Sequence, residues 1–275
     1  MGQRRALSRT SQAVAVTRAG FARPHSAGGD PQAQRNLCAG MRAPVLGPMQ
    51  ASLEARTIFF DGQVLAGIET GLRQVVVLGA GYDDRALRFR TPQVRFFEVD
   101  HPGTQADKRA RLTRLLGPDA GRGPVLVAAD FRVDVLPDVL AAAGHDRAVA
   151  TLFLCEGLLV YLDEPATIGL LGGARDVAAP GSVLAASLSV HADGLDSARV
   201  LEVANARRRT ASEEPWLTIL PADAQAALLA RAGWTITASV DAADLGTGAA
   251  SGRSLLVTAA VLARGDDLPE PPVAS

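Results

Sequence analysis

Gln74-Val75-Val76-Val77-Leu78-Gly79-Ala80-Gly81-Tyr82-Asp83-Asp84-Arg85 is the stretch on which the fold turns. Four apolar residues, Val75 to Leu78, run without polar alternation and stop at glycine. A Val-rich run of this kind predicts a strand covered on both faces, as in a parallel sheet. Gly79 and Gly81 let the backbone turn sharply and let a ligand approach it closely. Strand, Gly-x-Gly turn and helix together form the opening unit of a nucleotide-binding α/β domain.

The residues after the glycines narrow the nucleotide. A dinucleotide fingerprint needs Gly-x-Gly-x-x-Gly, with pyrophosphate on the helix N-terminus. Here Asp84 stands at the third glycine position and Asp83 beside it. Two carboxylates repel a pyrophosphate but not the cationic head of S-adenosylmethionine. The loop therefore favours S-adenosylmethionine over NAD, although a bare Gly-x-Gly also reads as a structural turn without a ligand.

Elsewhere in the chain, strands are expected at 94–100, 125–129, 148–155, 182–190, 234–240 and 254–262. Helices are expected at 52–72, 85–89, 104–116, 138–143, 164–178 and 221–232. The alternation predicts an α/β fold: a doubly wound, Rossmann-like, mostly parallel seven-stranded sheet with helices on both faces and the last strand antiparallel. Residues 1–50, rich in Ala, Arg, Gly and Pro, form an N-terminal arm or cap, partly disordered, with a short helix at 11–18. Residues 51–264 form the main domain. The strand-free, charged segment 191–220 is expected to be a lid or substrate element, and the acidic, Pro-rich tail 265–275 to be disordered.

Four successive strand ends carry Gly79 with Gly81, then Asp100, Asp130 and Glu156. Ligands on such sheets bind outside the carboxyl ends of the strands. One acid after a strand reads as a helix cap; three in succession beside the glycine turn point to a site. Asp100, 21 residues after Gly79, suits the ribose hydroxyls, with Glu98 as a second candidate. Asp130 with the N–H of Phe131 suits the adenine edge. Glu156 suits the ammonium of the methionine part, and Arg56 or Arg85 its carboxylate.

These residues resemble the leucine carboxyl methyltransferase-like family, a branch of the class I S-adenosylmethionine-dependent methyltransferases. The likeness is carried by Leu78-Gly79-Ala80-Gly81-Tyr82-Asp83-x-Arg85, Phe97-Glu98-Val99-Asp100-His101-Pro102, Lys108 and Glu156-Gly157-x-x-x-Tyr161-Leu162. Glu54-Ala55-Arg56-Thr57, Glu214-Pro215-Trp216 and Gly233-Trp234 extend it over about residues 52–262, and the first 50 residues match poorly. The resemblance implies cofactor binding by Arg56, Gly79, Asp100, Asp130 with Phe131, and Glu156, and so prefers Arg56 to Arg85. Asp84 departs from the threonine usual in the family, and Phe131 from its leucine.

The expected activity is transfer of a methyl group from S-adenosyl-L-methionine to an oxygen, carboxylate or hydroxyl, of a small-molecule acceptor. A carboxylate needs no base; for a hydroxyl, Tyr161 and His191 are the catalytic candidates. A NAD(P)-dependent oxidoreductase and a non-catalytic S-adenosylmethionine-binding protein are the alternatives. A formal net charge of −1 gives no electrostatic case for nucleic acid or an anionic membrane, and no apolar run reaches the length of a span. Cys38 and Cys155 lie far apart without metal-ligand spacing. No metal is therefore expected, and a reducing, cytoplasmic setting is.

Overall fold

In the computed structural model, residues 8–43, 49–208, 214–245 and 253–261 are described; the tail 265–275, expected to be disordered, lies outside them. The chain runs α1 (Arg9–Arg18), α2 (Ala33–Leu37), α3 (Gln50–Glu69), β1 (Gln74–Leu78), α4 (Arg85–Arg88), β2 (Arg95–Asp100) and α5 (Pro102–Leu116). It continues through β3 (Val125–Ala128), α6 (Leu136–Ala142), β4 (Thr151–Cys155), α7 (Glu164–Asp176) and β5 (Val183–Val190). It ends with α8 (Ser197–Ala206), α9 (Ala222–Arg231), β6 (Trp234–Asp241), α10 (Ala242–Leu245) and β7 (Arg253–Val261). Of these, α2, α8 and α10 are not signalled in the sequence.

The seven strands form one sheet in the order β3-β2-β1-β4-β5-β7-β6. The pairs among β1 to β5 are parallel, and β7 runs antiparallel to both β5 and β6. The expected sheet is thus present, with the last strand inserted between β5 and β6. All five residues of β1 are buried. Val76 and Leu78 pack on one face with Phe97, Phe153, Leu140 of α6, Leu171 of α7 and Leu229 of α9. Val75 and Val77 pack on the other with Phe60 and Val64 of α3 and Ala86 of α4. That double burial is the physical reason for an apolar run without alternation.

Helix α3 buries Leu53, Thr57, Phe60, Val64 and Gly67, the three- and four-residue spacing of one helical face. A third cluster joins Ala15 of α1 and Ala33 and Leu37 of α2 to Tyr82, Leu87 and Leu112. The N-terminal helices are therefore packed against the glycine turn. Gly233 takes φ +85° after α9 and feeds Trp234 into the core. The Trp234 indole N–H donates to the Leu171 carbonyl at 2.8 Å and its ring meets Phe153 edge-on at 6.0 Å. Trp234→Ala is expected to destabilise the fold by about 3–5 kcal/mol, read as a lower urea midpoint; Trp234→Phe is expected to lose less, since it keeps most of the packing.

Candidate active site

Because β3, β2, β1 and β4 are neighbours in parallel register, their carboxyl ends lie side by side. Chain order reverses around β1, the switch point at which ligands bind on such sheets. A cavity of about 580 Å³ opens there, and Arg56, Gly79, Gly81, Asp100, Asp130, Phe131, Glu156 and Tyr161 all line it. His191 does not line it. Its ring nitrogens lie 2.8 Å from the Ala192 carbonyl and 2.7 Å from Ser197 Oγ, so it ties the end of β5 to the start of α8.

The glycine turn is built for close approach. Gly79 and Gly81 adopt φ +67° and +47°. A Cβ on Gly81 would lie 2.9 Å from the Ser11 Cβ of α1. The Gly81 N–H donates to Asp100 Oδ2 at 2.6 Å, and the His101 N–H to Oδ1 at 2.7 Å. Burial pushes the Asp100 carboxyl up, and these two bonds oppose it. His101 itself caps α5, its side chain accepting the Gly103 N–H. Asp130 accepts the Arg132 N–H at 3.2 Å, while the Phe131 N–H makes no hydrogen bond among the described residues. Glu98 does not face the cavity. It is fully buried against Lys108, whose Nζ lies 2.5 Å from Glu98 Oε2 and donates to the Asp83 carbonyl at 2.8 Å. Burial pushes Glu98 up to about 7, with Lys108 holding it down.

Asp83 and Asp84 do not stand as their sequence position suggests. Asp84 is completely buried and points away from the cavity, bonded to Arg23 at 2.6 Å and Arg88 at 2.8 Å. Asp83 lines the cavity, but Arg85 at 2.5 Å and Arg18 at 3.5 Å compensate its charge. The expected repulsion of a pyrophosphate by two open carboxylates is therefore corrected: the structure presents no such pair.

Glu156 is the centre of the ionic network. Oε1 accepts from Arg18 Nη2 at 2.6 Å and Arg56 Nε at 3.0 Å, and Oε2 from Arg85 Nη1 at 2.7 Å. These guanidiniums hold its carboxyl far below its ordinary 4.5 against the opposing effect of burial. Three of about four acceptor positions are used, and the one left lies on Oε2. Arg85 is wholly buried and also bonds Asp61 at 2.8 Å, so it cannot bind a ligand carboxylate. Arg56 keeps 20% of its side chain exposed, and its two terminal nitrogens make no hydrogen bond among the described residues.

Arg18, Arg23 and Asp61 escape a reading of the sequence. Arg18 and Arg23 look like members of a basic arm. Asp61 follows Thr57 by one helical turn, and both are 1% exposed on the face that carries Phe60 and Val64. That polar pair at i, i+4 within an apolar face was the available signal. Arg18 Nε donates to Thr57 Oγ1 at 3.3 Å, and Arg23 forks onto Asp61 at 2.7 and 2.9 Å.

The depressed Glu156 contributes stability above its ordinary value of 4.5, and that contribution is lost as pH falls through the folded value. Glu156→Gln is expected to cost about 3–5 kcal/mol at neutral pH, because buried guanidiniums lose their counter-charge. In urea titrations the gap between the two proteins should narrow steadily below about pH 4.5; a gap that stays constant with pH would contradict this reading. Lys108, the sole lysine of the sequence and 1% exposed, should resist amine-directed acylation in the native protein and react once it is unfolded.

The sequence profile described as leucine carboxyl methyltransferase matches residues 11–174. The match begins inside α1, so the N-terminal region belongs to the likeness instead of standing outside it; Glu214-Pro215-Trp216 and Gly233-Trp234 fall beyond its end. A protein of Streptomyces avermitilis named "Putative S-adenosyl-L-methionine-dependent methyltransferase" is 42% identical over 138 residues, 50% of this chain and 48% of its own. One of Frankia alni with the same description is 37% identical over 174 residues, 58% and 60% of the two chains. The chain spans about half the length of the curated relatives it matches. The crystal structure titled "putative methyltransferase from Thermobifida fusca" superposes with a TM-score of 0.57 at 19% identity, covering 92% of this chain and 94% of that one. Magnesium protoporphyrin IX methyltransferase of Synechocystis, with bound SAH, gives 0.53 at 13%, covering 83% and 92%. These two share the fold. On the extent and position of the profile match, the chain belongs to the leucine carboxyl methyltransferase family.

Proposed function

We propose that this chain is an S-adenosylmethionine-dependent methyltransferase acting on an oxygen, carboxylate or hydroxyl, of a small-molecule acceptor. The observation that carries the reading is the convergence of Gly79, Gly81, Asp100, Asp130, Glu156 and Arg56 on one cavity at the switch point of the sheet. The donor set suits this cofactor. Asp100 retains lone pairs for two ribose hydroxyls beyond those given to Gly81 and His101. The unspent Phe131 N–H and the Asp130 carboxylate suit the adenine edge. The terminal nitrogens of Arg56 offer a fork to the methionine carboxylate, and the open position on Glu156 accepts the ammonium.

The bound cofactor supplies an electrophilic methyl group on a sulfonium. What the protein adds is alignment and exclusion of water. Val14, Leu158 and Leu162 give the cavity apolar wall, and Tyr161 and Glu214 place polar atoms in it. His191, held outside the cavity, is not assigned a part in proton transfer. Residues 51–264 are assigned to the methyltransferase domain, the N-terminal helices to its cap, and 191–220 to the acceptor side. No described helix is long and apolar enough to cross a membrane. Both cysteines are free, and burial pushes the Cys155 thiol up to about 12; a cytoplasmic location fits them.

Calorimetric titration with S-adenosylhomocysteine tests the proposal. Saturable binding is expected, and Asp100→Ala should weaken it by about tenfold or more, since hydrogen bonds to a carboxylate are worth about 1.5–3 kcal/mol each. Failure of well-folded protein to bind it, with NADH bound instead, would overturn the proposal.

A further inference from the structure

The wall of the cavity beyond Glu156 is held by an arginine that does not itself line it. Arg208, just past α8, donates from Nη2 to the Tyr161 hydroxyl at 3.2 Å and from Nη1 to the Glu214 carbonyl at 2.9 Å. Its guanidinium stacks over the Trp216 ring at 4.4 Å and lies 5.4 Å from the Tyr161 ring. Tyr161 and Glu214 line the cavity; Arg208 and Trp216 stand behind them. The support is fixed on both sides. Asn205 of α8 accepts the Trp216 N–H at 2.8 Å and donates to its carbonyl at 2.9 Å. The N–H groups of Leu217 and Thr218 donate to the Val160 carbonyl at 2.7 and 3.2 Å. Glu214 Oε2 accepts the Thr10 N–H of α1 at 3.2 Å, so the wall also meets the N-terminal cap.

A guanidinium has only donors, so the Tyr161 oxygen must accept from Arg208. The phenolic proton is then left to donate, and Tyr161 donates no hydrogen bond among the described residues. We propose that Arg208 is a positioning residue of the methyl-acceptor site: it fixes the Tyr161 hydroxyl as a hydrogen-bond donor into the cavity, towards an acceptor lone pair. This assigns acceptor recognition to Arg208, just past α8, acting through Tyr161, and it rests on the methyltransferase reading.

The test uses the full chain saturated with S-adenosylhomocysteine and benzoate as the probe, a planar apolar ring bearing oxygen lone pairs. The sequence has two tyrosines, so protein labelled with carbon-13 at the tyrosine ring carbon bearing the hydroxyl gives two signals, and Tyr161→Phe assigns them. Benzoate is expected to move the Tyr161 signal more than that of Tyr82, which also lines the cavity but whose hydroxyl is bonded to Asp107. Arg208→Met should keep S-adenosylhomocysteine affinity within about twofold and weaken benzoate about tenfold, the size of one hydrogen bond to a charged group. Arg208→Lys, which keeps a donor but not the stacked plane, should fall between. A Tyr161 signal unmoved by benzoate, or equal benzoate affinity in Arg208→Met, overturns the proposal while S-adenosylhomocysteine binding persists. Loss of that binding in the unaltered protein removes the methyltransferase reading instead.

Discussion

The Glu156 carboxylate, gripped by Arg18, Arg56 and Arg85, is the contact through which three otherwise separate parts of the chain become one site. Arg18 comes from the N-terminal helix, Arg56 from the helix before the sheet, Arg85 from the helix after the glycine turn. Burying so many charges is costly unless each is paired and hydrogen-bonded. The network pairs its charges by sharing: Arg85 also serves Asp61 and Asp83, leaving only its Nη2 without a partner among the described residues, Arg23 bridges Asp61 and Asp84, and Arg88 completes Asp84. Replacing any one member strands its neighbours. The N-terminal helices are therefore held by charge as well as by the apolar contacts of Ala15, Leu37 and Tyr82.

The same network leaves a small, defined set of groups for a ligand. Arg56 uses one nitrogen on Glu156 and keeps two. Asp100 spends one lone pair on each of two backbone N–H groups, and this fixes the carboxylate without exhausting it. Lys108 pins Glu98 below and the Asp83 carbonyl above, so the glycine turn rests on a buried ion pair. A site prepared in this way loses little freedom when it fills, which is the advantage of preorganisation. At the far end, Arg208 does for Tyr161 what Lys108 does for the turn: a cation outside the cavity sets the orientation of a group inside it.

Much of this was legible in the residues. The run Val75–Leu78 announced a strand buried on both faces, and the alternation after it announced the parallel sheet, because both patterns are local consequences of burial. That the acids at 100, 130 and 156 would line one cavity was legible because strand ends can be read from sequence and parallel register brings those ends together. Asp83 and Asp84 were misread for the complementary reason. Their number was visible, but their charges are met both by near neighbours, Arg85 and Arg88, and by Arg18 and Arg23, 65 and 61 residues away, which only the packing brings in.

Residue order alone settles the sheet, the glycine turn, the row of acids behind it and the family, since each rests on short-range patterning or on motifs of fixed spacing. Tertiary packing was needed to establish that the basic N-terminal arm contributes Arg18 to the site, that Arg85 is consumed in the interior while Arg56 stays open, that His191 sits outside the cavity, and that Arg208 stands behind Tyr161. Arginine side chains are long, and their charge is satisfied wherever a carboxylate is brought within reach. Which carboxylate that is depends on how helices distant in sequence pack over the sheet, and spacing along the chain does not encode it.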